Sequence, residues 1–446
     1  MRTVVVASVS LLLASAGLSL GQALPNPTAE QLSLPHVTEA PPPPKPIPMS
    51  GRFTETAKPA TVVDAPAPSP AAPVVAHPTG CCGAGDSCGP PYTVWASVEY
   101  LYWWTRPDRV PPLVTVGTQA SRGIIGEPGT STLIGDSGLG GIPHWGVRLT
   151  LGAWLDEEML VGLEGNYFVT DSRSAQYANG ATDVAGAPVI ARPFFNINRN
   201  ANDTEVVAFP GLIGGNVVIN TSTRMDGAEL NALQNLCCGP DFRLDLLSGF
   251  RYFEVDEGLG ITENLLVDAT FPAGAGNTIV VSDLFGTKNR LYAMQFGLRG
   301  EKRWDDFFVQ GQAKLAVGSN HETVIVAGTT ALTPPGGAAN VQTGGLLALP
   351  TNIGRFHHDQ FAILPEFNIK VGYQVSEALR VYLGYDLLYL SDLARPSEQI
   401  DQVVNPSQLP TSAGPSPLTG PARPFFTFVN KDFWAQGVNL GMEFHY

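Results

Sequence analysis

The last stretch of the chain, WAQGVNLGMEFHY at residues 434–446, alternates between two kinds of side chain. The residues between the apolar ones are small or polar, among them Asn439, Glu443 and His445. Because successive side chains of a β-strand point to opposite faces, this period of two predicts a strand with one apolar face. The apolar set ends in aromatic rings and comprises Trp434, Val438, Leu440, Met442, Phe444 and Tyr446.

The same alternation recurs from Thr93 onward, first in WASVEYLYWW, which begins at Trp95. Further segments that show it are 147–151, 161–169, 242–252, 261–271, 292–298, 307–317, 361–373 and 379–389. Together they predict about ten strands, many near the roughly 9–11 residues that cross a bilayer at a tilt.

The connections between these segments alternate strictly between short and long. Short ones are predicted at 156–157, 256–258, 303–305 and 376–377, and long ones at 105–143, 171–240, 272–288, 319–360 and 391–431. This alternation is typical of an all-β, antiparallel, up-and-down transmembrane β-barrel with periplasmic turns and external loops. A Greek-key sandwich gives no reason for it. Two more strands inside 171–240 would make twelve and widen the barrel.

The N-terminal part of the chain divides into two segments ahead of the predicted barrel. Residues 1–23 read as a signal peptide, with Arg2, an apolar run and a Gly21-Gln22-Ala23 cleavage site, although an uncleaved anchor is an alternative. Residues 24–80 are rich in Pro and Ala, include APPPPKPIP, and predict a disordered linker. That linker is a spacer or a docking site for a cell-wall or periplasmic partner. The barrel is assigned to 81–446.

Composition restricts the partners. The 446 residues carry a formal net charge of -14, which argues against nucleic acid because phosphate binding needs a basic face. Beyond the signal segment, no apolar run reaches the roughly 18 residues of a transmembrane helix. A membrane position therefore requires a closed barrel in contact with lipid, because only closed barrels and helices satisfy their backbone polar groups there.

The two faces of the predicted strands suggest two sets of functional residues. Tyr100, Tyr102 and Trp104 would form an aromatic belt at the outer lipid–water boundary, and Phe444 and Tyr446 would mark the inner one. A soluble aromatic core is the alternative. The polar face would line the lumen, with charges that either pair across a filled interior or border a narrow pore. Those residues are Glu99, Arg148, Glu164, Asp245, Arg251, Arg299, Lys314, Glu366, Lys370, Arg380, Asp386 and Glu443.

Several longer motifs come in a characteristic order. They are WASVEYLYWW, RVPPLVT from Arg109, GEPGTSTLIG from Gly126, GVRLTLGAWLD from Gly146, GLEGNYF from Gly162 and LDLLSGFRYFEVDEGLGI from Leu244. In combination they resemble the bacterial putative beta-barrel porin family numbered seven in its series. The resemblance covers most of the chain from about Gly80 and implies an outer-membrane barrel, but no catalytic or binding residue.

Two further groups could carry chemistry. Disulfides are expected among five cysteines after export, and a metal site is the alternative, although the spacing fits no familiar zinc pattern. The first cluster is predicted on the periplasmic side and the second in an external loop. His357, His358 and Asp359, with His321 and Glu322, are read as a solvated external loop rather than a metal site or hydrolytic dyad. The cysteines are Cys81, Cys82, Cys88, Cys237 and Cys238.

These observations predict an outer-membrane barrel exported through a cleaved signal peptide. The expected function is porin-like passive diffusion of small solutes, without enzyme activity and without a cofactor. A plugged structural or surface-interaction barrel is the first alternative. A rim enzyme and a soluble exported β protein are weaker ones.

Overall fold

Ten antiparallel strands form a closed ring in the computed structural model, which describes residues 92–270, 274–411 and 417–446. In chain order they are β1 (Val94–Thr105), β2 (His144–Trp154), β3 (Val161–Thr170), β4 (Ile213–Gly239), β5 (Phe242–Val267), β6 (Thr278–Trp304), β7 (Phe307–Thr333), β8 (Gly354–Ser376), β9 (Leu379–Ala394) and β10 (Asn430–His445). Each pairs with its neighbours in the chain, and β1 closes the ring by pairing with β10. The predicted up-and-down barrel of about ten strands is confirmed.

Shorter elements lie in the connections. Strand Arg173–Ala181 pairs with the first part of β4 and continues the direction of β3. Strand Asn340–Thr343 pairs with the end of β7. In the described residues, no helix is long and apolar enough to span a membrane. The remaining elements are the strands Asp108–Arg109, Val114–Gly117, Ser131–Ile134, Gly138–Leu139, Val189–Asn196, Ala201–Ala208 and Val403–Val404, and the 3-10 helices Pro396–Gln399 and Pro406–Gln408.

The ring has two unlike ends. At the end called here the turn end, the connections are short and span 155–160, 240–241, 305–306 and 377–378. The opposite end, called the loop end, carries 106–143, 171–212, 268–277, 334–353 and 395–429. The chain enters and leaves at the turn end, where the backbone N–H groups of Thr93 and Val94 donate to the carbonyl of Tyr446.

Four neighbouring strands are much longer than predicted. Strands β4, β6 and β7 each have 27 residues and β5 has 26. At about 3.3 Å per residue a strand of that length measures about 90 Å, more than twice what a bilayer crossing needs. This side of the ring therefore continues beyond the bilayer as a wall at the loop end.

The predicted long loop at 171–240 is wrong, because β4 occupies its second half. Near the loop end the outward side chains of β4 are polar, such as Asn216, Asn220 and Ser222. Because these side chains face water rather than lipid, the apolar half of the alternation lies on the inward face instead, where Val217 and Ile219 are buried. The pattern of apolar residues facing outward therefore ends where the strand leaves the membrane.

The predicted tight turn at 256–258 is also wrong. Residues 242–252 and 261–271 were expected to be two strands, but β5 runs unbroken through Asp256, Glu257 and Gly258. The true turn lies at 240–241, between β4 and β5. The prediction missed β4 and counted β5 as two strands. These two errors compensate for each other, so the predicted number of about ten strands is still correct.

Candidate functional site

The twelve residues predicted to line the lumen all lie on the inward face of the ring. The most exposed of their side chains is that of Glu443, at 17 %. Charged groups removed this far from water need partners, and each of them has at least one. Their ion pairs form three groups, which are described in turn. Whether they border a conducting path stays a prediction.

The Glu99 cluster joins four strands. The Glu99 carboxylate lies 3.1 Å from Arg148 on β2 and 2.6 Å from Lys370 on β8. The Tyr382 hydroxyl donates to it at 2.9 Å. Arg148 also reaches Asp386 on β9 at 3.2 Å. These contacts bridge strands that are not neighbours, so the cluster spans the interior.

The Glu229 cluster alternates two carboxylates with two cations. Lys314 lies 2.8 Å from Glu229 and 3.0 Å from Glu366. Arg251 lies 3.0 Å and 2.5 Å from the same two carboxylates. Sequence reasoning missed Glu229 because it placed that residue in a loop. The available signal was that Ala228 and Leu230, which are two positions apart, lie on either side of it and so predict that Glu229 points to the opposite face.

A third group closes the turn end. Arg380 contacts Glu301 at 2.9 Å and Glu443 at 3.5 Å, and it donates to the Tyr92 hydroxyl at 2.6 Å. Nearby, Arg299 pairs with Glu164, and Arg243 lies 2.9 Å from Asp245. These groups surround a polar cavity of about 70 Å³ that extends to both other clusters. At roughly 10–15 Å³ for each water molecule, the cavity has room for about five to seven of them.

An apolar layer, called the septum here, lies on the loop-end side of the ion pairs. Trp103 on β1 contacts Phe168 on β3 with ring centroids 5.3 Å apart, and Phe168 approaches Phe253 on β5 at 6.1 Å. These rings skip a strand, so they fill the interior rather than line it. The septum residues, all at most 2 % exposed, are Leu101, Trp103, Phe168, Met225, Phe253, Val255, Leu291, Ala293, Ala316, Ala362, Leu364, Leu388, Leu390, Leu393, Phe433 and Ala435.

The loops fold into a second apolar core, called the external plug. The hairpin of Val189–Asn196 and Ala201–Ala208 pairs with Val114–Gly117, which pairs with Ser131–Ile134. Its buried side chains, such as Ile190 and Val207, share one cluster with Val217, Phe285 and Val324 of the wall. The loops therefore pack against the inner face of the extended strands, which the sequence did not predict.

One arginine fixes the external plug to the wall. Arg192 is fully buried and lies 2.6 Å from Glu263 on β5 and 2.7 Å from Asp283 on β6. Asp283 also accepts the backbone N–H groups of Leu347 and Ala348 at 3.1 and 2.8 Å. Two loops are thus held through one pair of carboxylates. We call this arrangement the Arg192 bridge.

A third carboxylate lies beside the Arg192 bridge. Glu205 stands opposite Arg192 in the hairpin, and Thr411 donates to its Oε1 at 3.1 Å. Its Oε2 is buried and makes no hydrogen bond within the described residues. Burial raises the pKa of Glu205 to about 8, and the neighbouring charge of Glu263 acts in the same direction. The hairpin therefore binds a proton near neutral pH.

The predicted aromatic-belt residues all lie on the outward face. Tyr100, Phe444 and Tyr446 are exposed, and Tyr102 and Trp104 are half-buried. Trp145 of β2 packs against Tyr102 with ring centroids 4.6 Å apart. Trp103, in the same aromatic run, points inward to the septum instead. The position of this belt in a lipid boundary stays a prediction.

The cysteines differ from expectation in one respect. Cys237 and Cys238 end β4 beside the 240–241 turn, so their predicted place in an external loop is wrong. They lie at the turn end because β4 runs through the segment that was read as a loop. Both are disulfide-bonded. Cys81, Cys82 and Cys88 lie outside the described residues, as do the signal and linker segments.

The histidines belong to strands rather than to the predicted loop. His357, His358 and Asp359 lie in β8 and pair with β7. His321 Nδ1 lies 2.6 Å from Asp359 on the outward face, and His358 lies 3.3 Å from the buried Glu322. Within the described residues, no group of three or more His, Cys, Asp or Glu side chains is arranged to hold a metal ion.

A family model now accounts for the whole ring. The model described as Putative beta barrel porin-7 matches residues 95–446, from the start of β1 to the last residue. The chain belongs to this family. As a member of the porin-7 family with a closed ten-stranded ring, it is an outer-membrane β-barrel. No curated protein matched the chain significantly.

Solved structures with similar outlines are outer-membrane proteins. The outer membrane protease OmpT from Escherichia coli is 12 % identical, with 81 % of this chain and 99 % of that chain covered and a TM-score of 0.39. A FadL homologue of Pseudomonas aeruginosa is 8 % identical, with 79 % and 90 % covered and a TM-score of 0.21. The toluene transporter TbuX of Ralstonia pickettii is 9 % identical, with 79 % and 89 % covered and a TM-score of 0.14. Likenesses this distant carry no argument about function.

Proposed function

We propose that this porin-7 barrel carries no open pore and anchors a surface domain, formed by the external plug, in the outer membrane. The single observation that carries the proposal is the septum. Its side chains come from nine of the ten strands and are at most 2 % exposed. An apolar constriction excludes hydrated ions because water leaves it.

Two polar layers support the same conclusion. On the turn-end side, the Glu99 and Glu229 clusters cross the interior with ion pairs of 2.5–3.2 Å. On the loop-end side, Arg395 lies 2.7 Å from Glu257 and 3.6 Å from Asp108 of the first long loop. A solute would have to separate buried charges on both sides of the septum, and separating such pairs is costly.

Planar-bilayer recording of the full-length protein tests the proposal. We expect no current steps from the wild type. Trp103→Ala with Phe168→Ala should open the septum and give steps, whereas Phe361→Ala with Phe367→Ala, which changes exposed outward rings, should stay silent. Steps from the wild type would overturn the proposal. A folded septum variant without steps would show that the septum is not the sole barrier and that the ion-pair layers beside it also close the lumen.

Passive diffusion of small solutes is the second candidate function. It is favoured by family membership and by the polar cavity, whose lining carries both signs of charge. Water-filled space of this kind borders conducting paths in wider barrels. Wild-type current steps that scale with salt concentration would establish this function in place of the closed barrel.

A further inference from the structure

Two rows of charged and polar side chains cross the outward face of β4 to β8. The first runs through Asp226, Glu254, Arg290, His321 and Asp359, each opposite the next in register. The second runs one step toward the loop end through Arg224, Asp256, Lys288, Thr323 and His357. We call these ten residues the collar.

The collar begins directly where the outward apolar band ends. One step toward the turn end on the same strands lie Tyr252, Tyr292 and Phe361, and the next step is formed by Phe250, Met294 and Ile363. Tyr252 and Tyr292 contact each other with centroids 5.4 Å apart. Amphipathic rings prefer the boundary between acyl chains and headgroups. The collar therefore lies at the depth of the headgroups, beyond which the wall continues.

The collar carries four carboxylates against three lysine and arginine cations, and Glu254 is the carboxylate that these cations occupy most fully. Glu254 accepts from Tyr252 at 2.7 Å and from Arg290 Nε at 2.8 Å, and Lys288 lies 3.1 Å away. These three contacts use the Glu254 carboxylate within the protein.

Two guanidinium groups of the collar keep free donors. Arg290 bonds through Nε, and its terminal nitrogens make no hydrogen bond within the described part of the chain. The Arg224 side chain is 53 % exposed, and its ion-pair contact is to Asp226 at 4.0 Å. Planar guanidinium donors pair with two oxygens of a phosphate at once.

We propose that the collar binds phosphate groups of lipid headgroups in the leaflet at the loop end. The occupant is lipid because the collar continues the lipid-facing band. The phosphate fits because the free donors are guanidinium groups at headgroup depth. The inference depends on the outer-membrane placement and not on whether the lumen is closed, so conductance results leave it unchanged.

Lipid retention by the full-length protein tests this inference. The protein is reconstituted in vesicles of digalactosyl diacylglycerol, which lacks phosphate, with phosphatidic acid as a minor component, and lipid retained after detergent extraction is measured. We expect phosphatidic acid to be enriched over the glycolipid. Arg224→Gln with Arg290→Gln should weaken its retention on the order of thirtyfold, because each of the two cations near a membrane surface adds about 1 kcal/mol.

Two matched variants make the result decisive. Arg199→Gln with Lys431→Gln removes two exposed cations outside the collar and should retain phosphatidic acid like the wild type. Arg224→Lys with Arg290→Lys keeps the charge but loses the planar guanidinium group, so its retention of phosphatidic acid should lie between those of the wild type and the Gln variant. This Lys variant also provides a test if the Gln variant fails to fold. Equal retention of both lipids by the wild type, or equal losses in the collar and control variants, would overturn the inference.

Discussion

Arg192 donates a hydrogen bond of 2.6 Å to Glu263, across 71 positions of the chain. The arginine belongs to a loop hairpin and the glutamate to β5, so this contact fixes a loop to the wall of the ring. Both side chains are fully buried. Breaking such a pair leaves an uncompensated charge inside the protein, which usually costs about 3–5 kcal/mol.

Replacing Arg192 should release the external plug while the ring persists. Arg192→Met removes the charge that holds Glu263 and Asp283 together. Asp283 accepts the N–H groups of Leu347 and Ala348, so those amides should lose protection. Hydrogen exchange at these two amides measures the effect, and protection across β1 and β10 should stay unchanged.

Arg199→Met is the matched control for this prediction. Arg199 follows the same hairpin strand, but its side chain is 70 % exposed and pairs with Asp203 near the surface. Surface pairs of this kind contribute little. If Arg192→Met exchanged no faster at Leu347 than Arg199→Met, the Arg192 bridge would have no role in holding the plug.

The external plug should become easier to open as the pH rises. Glu205 has a pKa raised to about 8 in the closed plug, against an ordinary value near 4.5 once it is hydrated. The closed state therefore binds an extra proton between these values, and its stability falls as the pH rises from about 4.5 to about 8. Above that range the effect should level off.

Exchange of loop amides at a series of pH values, corrected for the intrinsic exchange rate, tests this dependence. Glu205→Gln keeps the shape of the side chain and removes the titrating group, so most of the pH dependence should disappear. A weaker pH dependence should remain in this variant, because burial also raises the pKa of Glu263. An unchanged pH profile in Glu205→Gln would assign the dependence to another group.

Glu229→Gln should destabilise the ring. Lys314 and Arg251 would then share Glu366 alone, with both cations still buried. We expect a loss of about 3–5 kcal/mol in the free energy of unfolding. Denaturant unfolding in detergent, followed by the gel mobility of unheated samples, measures it.

The control for Glu229 is Glu157→Gln, in the exposed 155–160 turn, which should change stability by less than about 0.5 kcal/mol. A double variant, Glu229→Gln with Lys314→Met, should recover part of the loss because it removes the unpaired cation as well. Equal stability of Glu229→Gln and Glu157→Gln would show that the cluster adds nothing.

Gly437 of β10 should not tolerate a side chain. A Cβ atom there would lie 2.2 Å from the carbonyl oxygen of Tyr102 and 2.6 Å from the Trp103 ring. Gly437→Ala should therefore cost about 1–3 kcal/mol through overpacking. Gly260→Ala on β5 has nothing within 4 Å and should be close to neutral. Thermal unfolding in detergent compares the two, and equal midpoints would contradict the expected close contact.

The lipid-facing part of the ring could be predicted from the sequence alone. In β10, apolar residues at every second position from Val438 to Phe444 are required because lipid faces one side of the strand. The same requirement identified β1, β8 and β9. It also fixes which side chains point inward, so Glu99 and Lys370 could be assigned to the interior before any partner was known.

Outside the membrane that requirement does not apply, and there the predictions of a loop at 171–240 and a turn at 256–258 were wrong. On β4 the outward residues Asn216 and Asn220 face water, and the apolar residues Val217 and Ile219 lie on the inward face instead. The same change of face occurs on β5, where 256–258 resembled a turn although the strand continues through it. The rule that apolar residues face outward therefore holds only for the part of a strand that lipid surrounds.

The contents of the barrel were decided by tertiary structure alone. The sequence placed Glu99, Arg148 and Lys370 on inward faces, but their pairing depends on how far each strand is shifted against the next. The contact between Trp103 and Phe168, like that between Arg192 and Glu263, joins elements that are distant in the chain. Alternation can be recognised from neighbouring residues, whereas the closure of the ring brings together strands from the whole length of the chain. For that reason the lipid-facing part of the ring can be predicted from the sequence, and the septum and the external plug cannot.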